Sequence, residues 1–185
     1  MVKIFSVEGN IGSGKSTFVE YLKQHCSDKF VFLQEPVNIW KEIKDEESGK
    51  DKIQLFYEDM KTHAFSFQMM AYISRLSTLK RAIKENPGKD IICERCLYTD
   101  KYVFARLLNE DSLISSTDYQ IYNRWFSHFI EELPPISYVY IQARPEISLG
   151  RIQKRGRDGE DKISLEYLTR VHRKHEDWLK GETCL

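Results

Sequence analysis

The chain has 185 residues, 41% apolar and 30% charged, an ordinary globular balance with enough length for a real core. Its 28 Lys plus Arg are matched by 28 Asp plus Glu, so it has no net cationic field with which to hold a nucleic-acid polymer non-specifically. No apolar run approaches a membrane span, and Met1-Val2-Lys3-Ile4 starts almost directly on a strand-like segment without a signal-peptide layout; a soluble protein of a reducing, cytoplasmic compartment is expected.

Residues 3–8 read as a short buried strand, followed by a glycine-rich turn from Gly9 to Gly14. Residues 15–25 follow as a helix with Phe18, Val19 and Leu22 on one face. Phe30 to Leu33 form a second strand, stopped by Pro36, which cannot donate to a sheet. Residues 41–52 are charged and broken by Ser48-Gly49, and predict an exposed loop. Helices are expected over 53–60 and 62–86, the second amphipathic through Phe67, Met70, Ile73, Leu76, Leu79 and Ile83 and ended by Asn86-Pro87-Gly88. Asp90 to Cys93 make a third strand. Helices at 100–109 and 117–131 precede Leu133-Pro134-Pro135. Ser137 to Gln142 give a fourth strand that alternates less than a half-buried strand would, and helices at 146–155 and 164–180 close the chain. Strands alternating with helices predict an α/β fold, a parallel sheet covered by helices on both faces, in one domain spanning 1–185.

Gly9-Asn10-Ile11-Gly12-Ser13-Gly14-Lys15-Ser16 matches G-x-x-x-x-G-K-[ST], with a strand before it and a helix after it. Its glycines let backbone N–H groups curl round a phosphate at the positive end of the helix dipole. Lys15 supplies a mobile charge for the β- and γ-phosphates, the Ser16 hydroxyl suits Mg²⁺, and Thr17 continues the nucleotide-binding segment. Such a loop does not choose between GTPase, ATPase and kinase. No N-K-x-D guanine motif is present, nor an apolar run ending in Asp-Glu.

The acceptor has to be read elsewhere. Glu35 ends the second strand, at the carboxyl edge where open α/β sheets bind ligands. A carboxylate there can accept the proton of an attacking hydroxyl and would repel an acceptor that already carries a phosphate. Arg151, Arg155 and Arg157 form a basic patch, with 151 and 155 on one helix face. Arginines that close over a transferring phosphoryl group stabilise its spread charge, and Gly156 and Gly159 would give this lid, at about 151–162, its hinges.

Several blocks resemble the deoxynucleoside kinase family, in the family's order and over roughly residues 3 to 180. They are Leu33-Gln34-Glu35-Pro36-Val37 with Trp40, Phe65-Ser66-Phe67-Gln68, Glu94-Arg95 with Tyr98-x-Asp100, Arg151-x-x-x-Arg155-x-Arg157-x-x-Glu160, and Leu165-Glu166-Tyr167-Leu168 with His172 and His175-Glu176-Asp177-Trp178-Leu179. The resemblance implies transfer of the γ-phosphate of ATP to the 5′-hydroxyl of a deoxynucleoside, for nucleotide salvage, by a homodimer. It gives Glu94 to Mg²⁺ and Arg95 to phosphate oxygens and the acceptor site. Tyr57 and Glu160 fall to the 3′-hydroxyl, where close packing would exclude a 2′-hydroxyl. Gln68 can pair with a base edge, and Phe67, Phe104 and Trp40 offer stacking or walls. Ala71, Arg75 and Asp100 resemble the deoxycytidine and deoxyguanosine kinase branch, so an amino-bearing base is expected ahead of thymine.

Some features depart from that family. Cys96 stands where Ser is usual, and His63 where Trp is frequent. The chain stops at Leu185, before the fifth strand and donor-base loop of typical relatives, so four strands with the fourth as an edge are expected. Three rival readings remain. A nucleoside monophosphate kinase would place an arginine, not Glu35, at the acceptor phosphate. A non-catalytic nucleotide-binding module would not need Glu35, Arg95 or the lid. A thiol redox or zinc role for Cys93-x-x-Cys96 finds no second ligand pair in Cys26 and Cys184, and Cys93 reads as a buried apolar residue.

Overall fold

Four short apolar segments pair side by side: β1 (Ile4–Glu8), β2 (Phe30–Leu33), β3 (Asp90–Glu94) and β4 (Ile136–Tyr140). All three pairings are parallel and the order is β2-β3-β1-β4. Parallel neighbours need long crossovers, and helices supply them. The computed structural model describes residues 2–157 and 160–181; the expectations that touch Met1, Gly159, Cys184 and Leu185 fall outside the described residues.

In this register Ile4 lies beside Ile91 and Ile136, and Val7 beside Glu94 and Val139. The pleat sends alternate residues to opposite faces. On one face Val7 and Ile92 meet Val19 of α1 (Lys15–Cys26), with Phe5, Phe18, Leu22, Phe30 and Phe32 round them. On the other, Ile4, Ile91 and Cys93 meet Leu79 and Ala82 of α4 (Met60–Glu85). Val19, Ile4 and Ile91 are fully buried, each contributing roughly 1.5–3 kcal/mol of transfer free energy. The sheet is thus covered on both faces, as expected of an α/β fold.

Local chemistry sets the helix ends. α2 (Val37–Glu42) follows Pro36, and α3 (Lys52–Glu58) starts from a capping box between Asp51 and Gln54. Asp59 caps α4 by accepting the Thr62 N–H. After β3 the chain stays helical through α5 (Leu97–Thr99), a π-helical stretch at Asp100–Ala105 and α6 (Arg106–Glu110). α7 (Ser116–Ile130) is capped by Ser115 and α9 (Leu165–Leu179) by Ser164. α8 (Pro145–Arg155) has Pro145 in its first turn and ends on Gly156 at φ 59°, the left-handed cap that glycine adopts without strain.

Three expectations are revised. Lys41 and Glu42 belong to the helical turn α2, so the loop is shorter than 41–52; its exposed residues run over 41–49, and it is pinned by a bridge between Lys44 and Asp51. The helix expected from 100 begins at Leu97 and passes through π geometry. β4 does alternate: Ser137 and Val139 are exposed while Tyr138 and Tyr140 are partly covered by Trp178 and His175 of α9. Among the described residues β4 is an edge strand, as expected, with β2 at the opposite edge.

Candidate active site

The Gly9–Gly14 turn leaves the carboxyl end of β1 and is squeezed between β4 and α8. Gly9 sits at φ 147°, and a Cβ there would lie 2.5 Å from the Ile141 carbonyl oxygen. Gly12 sits at φ 73°, and its Cβ would lie 2.6 Å from the Ser148 carbonyl oxygen. Only glycine serves at either position. Asn10 fixes the loop from behind: its Oδ1 accepts the Ile11 N–H at 2.8 Å, and its Nδ2 donates to Leu168 O of α9 at 2.9 Å.

Lys15 is buried and its Nζ donates to Asn10 O at 2.7 Å. Burial, with the Arg95 charge, lowers its pKa to about 7. A bound phosphate would reverse that. Ser16 Oγ donates to a Glu94 carboxylate oxygen at 2.8 Å. A hydroxyl beside a carboxylate, open to the cleft, is a hard oxygen donor set of the kind Mg²⁺ uses together with phosphate and water.

Facing this loop is a charge cluster. Arg75 of α4 donates through Nε to Asp100 Oδ2 at 3.0 Å and through Nη2 to Glu35 Oε1 at 3.1 Å. Arg95 donates through Nη1 to the same Glu35 oxygen at 2.9 Å and through Nη2 to Gly9 O at 3.4 Å. Burial would raise the Glu35 pKa, but Arg95 and Arg75 outweigh it and hold the carboxyl at about 2. Arg95 has φ 61°, rare for a residue with a side chain, and its guanidinium lies 5.0 Å from the Phe104 ring centre. The π-helical stretch carries both Asp100, against Arg75, and Phe104, against Arg95.

Aromatic walls complete this end. Phe67 stacks on Phe56 at 4.4 Å and meets Trp40 edge-on at 5.7 Å. Gln68 is buried, and among the described residues its Oε1 has no hydrogen-bond partner, which leaves an acceptor free at the cleft. The Tyr57 phenol is pushed far above its ordinary pKa by burial, then by the nearby Tyr167 and Glu160. In the arginine-rich segment at and after the end of α8, Arg151 donates to Ser13 O at 2.7 Å, and Glu160 accepts from Arg155 Nη2 at 2.5 Å and Arg157 Nη1 at 3.5 Å.

One cleft of about 1210 Å³ joins the two halves, larger than the roughly 300–1,000 Å³ usual for a single small ligand. Apart from Gly9 and Asn10, every candidate residue named from the sequence lines it. The sequence reading missed Phe56, Lys41, Asn38, Tyr21 and Tyr167, which also line it. Phe56 packs in the core with Ala64, Leu108 and Ile114 and meets the cleft where it stacks on Phe67, so its apolar character alone gave no sign of that second role. Cys93 and Cys96 are buried, and burial drives the Cys93 thiol up to about 12, which suits inert packing and not redox chemistry. Among the described residues no helix is long and apolar enough to cross a membrane.

A model of the deoxynucleoside kinase family matches residues 5–184. The chain is 37% identical to deoxycytidine kinase of Rattus norvegicus, over 98% of this chain and 77% of the relative. The human deoxycytidine kinase matches at the same identity and coverage. The mitochondrial deoxyguanosine kinase of Xenopus laevis is 32% identical, over 98% of this chain and 75% of that protein.

Proposed function

The chain belongs to the deoxynucleoside kinase family, and from that premise we propose that it moves the γ-phosphate of ATP onto the 5′-hydroxyl of deoxycytidine or a purine deoxynucleoside in preference to thymidine. One observation carries this reading. Glu35 is held ionised by two arginines between the phosphate loop and the Arg75–Asp100 pair, where an acceptor hydroxyl would lie.

The loop N–H groups and Lys15 hold the donor phosphates. Ser16 and Glu94 would hold Mg²⁺, which neutralises charge between the phosphates when bound. The acceptor's 5′-hydroxyl donates to Glu35. A carboxylate with a pKa near 2 is a weak base, but phosphoryl transfer runs through a loose transition state in which the nucleophile loses its proton late. Orientation and negative charge matter more there than basicity. The same charge disfavours an acceptor that is already phosphorylated. Arg95 and the lid arginines Arg151, Arg155 and Arg157 meet the transferring group, and Gly156 serves as hinge for the segment at about 151–162.

Tyr57 and Glu160 take the 3′-hydroxyl. Asp100 accepts from an exocyclic amine while Arg75 and Gln68 read the neighbouring ring edge. Phe67, Phe104 and Trp40 wall the base, and the small Ala71 leaves room for it. Relatives named deoxycytidine and deoxyguanosine kinase fit this preference, since both bases carry an amine.

The test is direct. The protein is incubated with Mg²⁺ and γ-labelled ATP against each of the four deoxynucleosides and, separately, their monophosphates. Label should enter the 5′-monophosphates of deoxycytidine or the purine deoxynucleosides. Turnover on monophosphates alone would overturn the reading.

A further inference from the structure

Glu8 is fully buried at the end of β1, immediately before the phosphate loop, and no step above uses it. Its carboxylate accepts three hydrogen bonds. Ser6 Oγ donates at 2.6 Å, the Cys96 backbone N–H at 3.1 Å and Thr99 Oγ1 at 2.5 Å. All three are donors, the set an acceptor-only carboxylate satisfies.

The Cys96 N–H belongs to the peptide that follows Arg95, and Arg95 is the residue forced to φ 61°. On its other side the Arg95 N–H donates to Val7 O at 3.1 Å. Arg95 is therefore clamped before and after by the last two residues of β1. The Cys96 N–H also reaches Thr99 Oγ1, at a longer 3.4 Å, so without Glu8 the peptide between Arg95 and Cys96 keeps only that weaker hold and can rotate. Arg95 then relaxes to negative φ, and its guanidinium swings away from Glu35 and Gly9 O. Strained backbone of this kind persists only where its surroundings over-determine it.

Resting on the reading that Arg95 serves the transfer, we propose that Glu8 is a positioning residue. Its buried carboxylate holds the turn after β3 so that the Arg95 guanidinium stays on Glu35 and over the transferring group. Glu8 acts through hydrogen bonds to Cys96 and Thr99, not as a distant charge.

The wild-type enzyme must first show turnover, which tests the family reading by itself; the variants are then read against it. Glu8→Ala should lower kcat about tenfold or more with the nucleoside KM changed much less, because Arg95 acts at the transition state. Glu8→Gln should restore kcat to within about threefold of wild type. Its carbonyl can still accept the Cys96 N–H and the Ser6 hydroxyl, which share one Glu8 oxygen, and the Thr99 hydroxyl, on the other oxygen, can turn to accept from the amide. A Glu8→Gln variant as poor as Glu8→Ala would overturn the proposal in favour of a charge effect. In an Arg95→Ala background Glu8→Ala should cost less than about twofold in kcat, since its target is gone. Full additivity would equally overturn it. If Glu8→Ala does not fold, Thr99→Val removes one clamp with little change of volume and carries the same pair of tests: a kcat loss in wild type that disappears beside Arg95→Ala supports the proposal, and no kcat loss in wild type refutes it.

Discussion

The two halves of the cleft are built in opposite ways. The phosphate side is made of contiguous backbone: one turn between β1 and α1, with two glycines forced by the closeness of Ile141 and Ser148 and one buried lysine, Lys15, held on Asn10 O. The acceptor side is made of side chains from distant parts of the chain. Glu35, Arg75, Arg95 and Asp100 come from separate parts of the fold and are joined by ion pairs, buried between Arg75 and Asp100 and partly buried at Glu35. A backbone site is rigid and indifferent to what lies beyond the phosphates. A side-chain site can be specific, but every member depends on the others.

That contrast can be broken experimentally. Arg75→Met should be the most damaging change, because it strands Asp100 and half of the Glu35 contacts in a buried site. Breaking one partner of such a pair costs about 3–5 kcal/mol, to be read by urea denaturation. Adding Asp100→Ala should recover part of that stability while relaxing the preference against thymidine. Equal stability of the single and double variants would show that the cluster is not interdependent. Gly12→Ala should come next, since its Cβ meets backbone and its φ is positive; about 1–3 kcal/mol is expected, falling on ATP affinity with nucleoside affinity unchanged by calorimetry. A loss shared by both ligands would contradict the separation of the halves.

The smallest effect is one of pH. Free Lys15 has a pKa of about 7 because it is buried and faces Arg95. Bound phosphates raise that pKa, so nucleotide binding takes up a proton above pH 7. Affinity for Mg²⁺-ATP should therefore fall as pH rises from 7.5 to 9, by at most about tenfold per unit. Calorimetry in buffers of different ionisation enthalpy should register the uptake, and an affinity independent of pH would remove Lys15 as the cause.

The same contrast explains what was legible in the chain. The phosphate loop was readable because its chemistry is local and its spacing fixed. The four strands and most helices were readable from apolar periodicity. Glu35 stood out by its place at the end of a strand, and Arg75, Arg95 and Asp100 through the family resemblance, but nothing in their order says that one Glu35 oxygen is shared by two guanidinium groups. Phe56 was lost among core aromatics because stacking on Phe67 depends on tertiary packing. The π-helical stretch was invisible because its hydrogen bonds reach one residue further than those of an α-helix, a difference with no compositional mark. Glu8 looked like the last residue of a strand, and its buried partners Cys96 and Thr99 lie some ninety positions away.

The claim on which the rest depends is that Glu35 receives the acceptor hydroxyl during transfer. Glu35→Gln keeps the shape of the side chain and removes its charge. With Mg²⁺-ATP saturating, kcat for deoxycytidine or the best purine deoxynucleoside should fall about 10²–10³-fold. The dissociation constant of that nucleoside should move by no more than a few-fold. An unchanged kcat, or a loss confined to nucleoside binding, would contradict the account.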